Sequence, residues 1–135
     1  MKIEINNQTN CKINLKSIEK AAAVFSRVYR IDKNKEISLA FVSDAEIKKL
    51  NFTYRGLNSA TDVLSFAGDG DYLGEIIIDY SQIKRQAGNF KNSAEKELIF
   101  ILTHGLLHLI GYDDKTDEDR EKMIKIGEKF IKNYL

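Results

Sequence analysis

The chain has 135 residues, of which 43% are apolar and 30% charged, with 21 Lys and Arg against 20 Asp and Glu, two His, one Cys and no Pro or Trp. That is enough chain for one compact domain with a buried core. A formal net charge of +1 excludes a polybasic protein that holds nucleic acid or anionic membrane by bulk attraction, so any anionic ligand must be held by local groups. One cysteine cannot close an internal disulfide, and residues Met1 to Asn10 lack the apolar run of a secretory signal. The most apolar stretch, Ile99 to Ile110, is too short to cross a bilayer. A reducing cytoplasm, with no membrane partner, is the expected setting.

Met1, Ile3 and Ile5 alternate with Lys2, Glu4 and Asn6, the period of a strand with one buried face. Leu15, Ile18, Ala22, Phe25, Val28 and Tyr29 then recur at spacings of three and four, which places an apolar stripe on a helix. Ile37, Leu39 and Phe41 alternate again. Ser43 and Glu46 form a capping box that opens a short helix ending near Asn51. Val63–Phe66 and Leu73–Ile78 read as a hairpin joined through Gly68-Asp69-Gly70-Asp71, and the three consecutive isoleucines 76–78 suit a central strand covered on both faces. Asp79 caps a brief helix closed by Gly88. Asn92, with Glu95 three residues on, opens a longer helix that is apolar on nearly every side from Leu98 to Ile110 and therefore belongs in the middle of the fold. Gly111 stops it, and Thr116 begins a last helix with Met123, Gly127, Phe130, Ile131 and Tyr134 on one face. This order predicts a single α+β domain over residues 1–135. About four strands form a mixed sheet packed with helices, and the first crossover makes a parallel pair.

The central helix carries both histidines of the chain, as His104-Gly105-Leu106-Leu107-His108. Residues four apart share a helical face, roughly 6 Å apart along the axis, so two imidazoles can point at one centre. An otherwise apolar helix gives two imidazoles a reason to find a partner there. Gly111 can adopt the positive φ that turns the chain back, which brings Asp114 toward the same centre; Asp113 and Asp117 are rival third ligands. Two nitrogens and a carboxylate oxygen with an open position are what a catalytic Zn²⁺ needs to bind and acidify water. Zinc peptidases share the HxxxHxxGxxD spacing, but there the residue after the first His is a Glu that serves as general base. Here it is Gly105, which cannot carry a proton.

A second segment runs from Tyr54-Arg55-Gly56 to Ala60-Thr61-Asp62-Val63-Leu64-Ser65-Phe66. An arginine in a loop beside Gly56 can project its guanidinium into a cleft and hold phosphate through two parallel hydrogen bonds. Thr61 and Asp62 read as cap or turn residues. Lys84, Arg85, Lys91 and Lys96 cluster ahead of the histidine helix, where they form a solvated face or line a ligand path.

Together with Leu73-Gly74-Glu75-Ile76, Thr103-His104-Gly105, His108-Leu109 and Gly111-Tyr112-Asp113, these segments make the chain resemble the YbeY family of bacterial endoribonucleases along essentially its whole length. The resemblance implies an α+β metalloprotein with a zinc-type site. It further implies single-strand-specific RNA cleavage, a role in 16S rRNA 3′-end maturation and ribosome quality control, and ribosome or ribosomal-protein partners. One departure stands out: the family's pattern ends GYDH, its last His being the third metal ligand, and this chain has Asp114 there. A harder oxygen donor keeps zinc available and admits other divalent ions. The candidate site is thus Arg55 and His108 for catalysis, and His104, His108 and Asp114 for the metal. Two other readings are a ribosome-associated binding module with a closed, structural metal site and, disfavoured by Gly105, a metalloprotease.

Overall fold

The computed structural model describes residues 1–89 and 93–135. The elements are β1 (Lys2–Asn7), α1 (Leu15–Val28), β2 (Glu36–Phe41), α2 (Asp44–Arg55), β3 (Val63–Asp69), β4 (Tyr72–Ile78), α3 (Tyr80–Asn89), α4 (Ala94–Leu109) and α5 (Asp117–Tyr134). The four strands lie in the order β1-β2-β4-β3. β1 with β2 and β2 with β4 are parallel, and β3 with β4 is antiparallel. The α+β architecture with a mixed four-stranded sheet is therefore as the sequence predicts.

Strand periodicity divides the core between the two sheet faces. Ile76 and Ile78 of β4, with Ile37, Leu39 and Phe41 of β2, face α1, α3, α4 and α5, against Ile18, Phe25, Ile83, Leu102 and Met123. Ile77, between them in sequence, points the other way and packs with Leu64, Val42 and Ile47 under α2. The run of three isoleucines is a strand covered on both sides for this reason. α4 runs through the thick side of the molecule, and Leu98, Leu102 and Leu107 on it are fully buried.

Local chemistry sets the helix ends, with some shifts from expectation. Ser43 accepts from the Glu46 N–H and Thr116 from the Asp119 N–H, as their spacings imply. α2 extends four residues past Asn51. Its stop is Gly56, in the left-handed region at φ 70°, whose N–H donates to the Phe52 carbonyl. Arg55 is consequently the last helical residue and not a loop residue. Ser93 caps α4, its side chain accepting from the Lys96 N–H; the expected cap, Asn92, lies outside the described residues. The hairpin is tighter than the sequence indicates, because Asp69 still pairs with Tyr72 and only Gly70 and Asp71 form the loop. At the ends of the two amphipathic stripes, Leu15 and Tyr134 are exposed, each lying in a terminal turn that reaches past the core.

Candidate metal centre and cleft

The end of α4 builds the centre. Gly111 sits at φ 107°, and the chain closes there with two hydrogen bonds, from the Tyr112 N–H to the Leu107 carbonyl and from the Gly111 N–H to the His108 carbonyl. This pair of bonds is the Schellman termination, which satisfies the last helical carbonyls and reverses the chain direction. The reversal has two products. It places the Tyr112 carbonyl 3.2 Å from His108 Nδ1, so that the ring donates from Nδ1 and leaves Nε2 free as a lone-pair donor. It also returns Asp114 to the helix, with Oδ2 3.4 Å from His104 Nε2 and 3.3 Å from His108 Nε2.

These spacings fit a metal ion. One donor atom from each of the three residues lies within 4.8 Å of the others. Four donors about 2.0–2.1 Å from a tetrahedral ion stand about 3.3 Å apart, whereas a charge-assisted hydrogen bond would close to about 2.7–2.9 Å. The two imidazoles meet edge-to-face, with ring centroids 4.8 Å apart and planes at 83°, and each has its Nε2 near Asp114 Oδ2. Burial, and then the neighbouring His108, hold the His104 imidazole below its ordinary 6.5, while Asp114 and Asp62 pull it upward. A neutral ring is the form that ligates.

The trio opens into a cleft of about 650 Å³ whose lining includes Tyr54, Arg55, Asp62, Phe66, Phe100, His104, His108, Asp114 and Arg120. Arg55 is exposed and makes no ion pair among the described residues. Its position is set by the stop at Gly56 and by Asn51, a buried residue whose amide donates to the Ser59 carbonyl at 2.9 Å and ties the following loop to α2. Arg55, distant in sequence from the other three, therefore shares one cavity with His104, His108 and Asp114.

Other residues take different places from those their sequence suggests. Asp62, read as a turn residue, lines the cleft. Its Oδ2 accepts from Gln86 Nε2 at 3.2 Å, and burial raises its carboxyl above the ordinary 3.8. Tyr54 and Phe66 belong to the segments that carry the family resemblance but have no role assigned from sequence, and Phe100 and Arg120 are cleft residues that no local pattern marks. Of the rival ligands, Asp113 accepts from the Lys115 N–H, and Asp117 lies in the first turn of α5 beside Arg120; neither belongs to the donor group. Among the described residues, the members of the basic cluster are not part of the lining of this cleft. Arg85 is held by Asp44 through two hydrogen bonds, Lys84 lies over the Tyr80 ring, and Lys96 lines a separate groove between α4 and α5. Lys91 lies outside the described residues. Among those residues, no helix is long and apolar enough to cross a membrane.

The sequence pattern of the family described as Endoribonuclease YbeY matches residues 2–135. The Endoribonuclease YbeY of Phytoplasma mali is 38% identical over 135 residues, covering 98% of this chain and 88% of that protein. That of Limosilactobacillus reuteri is 34% identical, covering 99% and 98%. Among solved structures, the solution structure of TM1509 from Thermotoga maritima is 30% identical and superposes with a TM-score of 0.67, covering 96% of this chain and 87% of that one.

Proposed function

Because this chain belongs to the Endoribonuclease YbeY family, we propose that it is a metal-dependent, single-strand-specific endoribonuclease. Its substrate in this reading is the 16S rRNA precursor, cleaved in the cytoplasm during 3′-end maturation and ribosome quality control, in association with the ribosome or its proteins. The observation that supports this most is the sharing of one cleft by the His104, His108 and Asp114 donors and the guanidinium of Arg55, which makes no ion pair among the described residues.

In this assignment His104, His108 and Asp114 hold the ion, taken as Zn²⁺, with Asp114 widening the choice toward other divalent metals. Bound there, a divalent cation supplies Lewis-acid polarisation of a phosphodiester and acidifies water. Arg55 grips two phosphate oxygens with its planar fork and offsets the negative charge that builds on them in the transition state. His108 serves catalysis by presenting Nε2 in a fixed orientation, its other nitrogen being anchored on the Tyr112 carbonyl. A trio on an open cleft suits catalysis better than the closed set of four donors that a purely structural zinc takes.

The test is cleavage of single- and double-stranded RNA of one sequence, with and without chelator, together with elemental analysis of the same preparation. We expect cutting of the single strand alone, its loss with the metal and its recovery on adding Zn²⁺. Cleavage that survives metal removal would overturn the reading.

A further inference from the structure

Among the described residues, eight large apolar side chains are exposed, and three of them, Phe52, Tyr54 and Leu57, lie within three residues of Arg55. Tyr54 is 65% exposed, which is unusual for an aromatic side chain so close to a helix end that also carries a functional cation. It is nevertheless not loose. Its ring meets that of Phe66 on β3 with centroids 5.0 Å apart and planes inclined at 62°, an edge-to-face contact that fixes orientation at small entropic cost. Tyr54, Phe66 and Arg55 line the same cleft as the metal trio. An exposed, pre-oriented aromatic beside an unpaired guanidinium is the pairing by which proteins grip single-stranded nucleic acid, a base on the ring and a phosphate on the cation.

We propose that Tyr54 is the platform on which an unpaired base of the substrate stacks while Arg55 holds the adjoining phosphate, and that this residue sets the preference for single strands. The proposal rests on the nuclease reading above and adds its recognition element. A base inside a duplex already has both faces covered by its neighbours, so it cannot reach the ring without paying for unstacking. The discrimination then arises from the ring face and requires no reading of base edges. Purines, with the larger π surface, bind better than pyrimidines.

Two measurements on the metal-loaded protein test this with Tyr54→Phe and Tyr54→Leu, the second keeping apolar bulk without a π face. The first is equilibrium binding of short fluorescent oligodeoxyadenylate and oligodeoxythymidylate, which carry bases and phosphates but no ribose 2′-hydroxyl. The second is the steady-state kinetics of single-stranded RNA cleavage. Tyr54→Phe should match the parent. Tyr54→Leu should weaken binding roughly 5- to 100-fold, erase the purine preference, and raise KM with little change in kcat, at an unchanged melting temperature. Parent-like binding and KM in Tyr54→Leu would overturn the proposal and leave the exposed patch to a protein partner. A loss in Tyr54→Phe equal to that in Tyr54→Leu would overturn it as well, by assigning the effect to the hydroxyl. Failure of the parent itself to bind or cut single strands would bring down the nuclease reading together with it.

Discussion

Gly105 of α4 lies so close to Ile76 of β4 that a Cβ at position 105 would stand 3.1 Å from Ile76 Cδ1, 3.2 Å from Cγ2 and 3.4 Å from Cγ1. Ile76 is fully buried in the close-packed core and would have to shift by a few tenths of an ångström. The position after His104 therefore faces the sheet and not the cleft, which leaves no place there for the general base of a zinc peptidase. Gly105→Ala should cost about 1–2 kcal/mol in chemical denaturation, overpacking outweighing the gain in helix propensity. Gly105→Glu should fail to give a folded protein and should gain no peptidase activity. A stable Gly105→Glu variant would show that α4 can lift off the sheet.

Metal retention is the direct test of the three donors. His108→Ala and Asp114→Ala should each weaken binding at least about 100-fold in competitive chelator titration. Asp114→His, which restores the third histidine of the family's pattern, should tighten zinc and narrow the choice of metal. A stoichiometric, tightly held ion in Asp114→Ala would strike Asp114 from the ligand set.

Arg55 should matter for turnover and not for architecture. Arg55→Glu should lower cleavage by about 10²–10³-fold with unchanged melting temperature and metal content, since the side chain is exposed and makes no ion pair among the described residues. Arg55→Lys should recover only part of the rate, because an ammonium keeps the charge but lacks the two-pronged geometry. Full activity in Arg55→Glu would remove the residue from the site.

Away from the cleft, Asp79 and Asp44 make stability depend on pH in opposite senses. Asp79 is 0% exposed. Burial, and then the neighbouring Asp44 carboxylate, raise its carboxyl from 3.8 to about 6. The hydrogen bonds from Arg85, and then the neighbouring Asp79 carboxyl, hold Asp44 down at about 2. The folded protein binds the Asp79 proton more tightly than the unfolded chain does, so this group costs stability progressively as pH rises from 3.8 through about 6. Asp44 contributes in the other direction, its stabilisation being lost as pH falls from 3.8 toward about 2. Asp79→Asn mimics the protonated form and keeps an acceptor for the Gln82 N–H. At neutral pH it should stabilise by about 1–3 kcal/mol and flatten the melting temperature between pH 4 and 6. A variant whose pH profile overlays the parent's would refute the assignment.

The features that were readable in advance are those whose causes are local. The alternation of β1 and β2, the buried run of α4 and the caps at Ser43 and Thr116 depend on neighbours within one or two turns. The approach of the two histidines belongs with them, because i, i+4 spacing on one helix brings His104 and His108 together, whereas Asp113, Asp114 and Asp117 all stood as possible neighbours until the turn at Gly111 set Asp114 beside the two rings. The end of α2 lies beyond the sequence expectation for the complementary reason. The cap at Gly56 and the tie from Asn51 to Ser59 carry the helix on to Arg55, and neither has a hydrophobic period to announce it.

The identities and spacings along the chain thus determined the mixed α+β fold, the pairing of two histidines on one helix face and the presence of an arginine beside a glycine. Only the tertiary structure decided which charged and aromatic groups face the donors. Arg85 looked as available as Arg55, yet its partner Asp44 lies 41 residues away and takes both of its prongs. Asp62 and Tyr54 looked ordinary until β3 and α2 carried them to the wall of the cleft. Periodicity and capping act through bonds a few residues long, whereas the pairing and exposure of a long side chain depend on whatever the packed sheet and helices set against it.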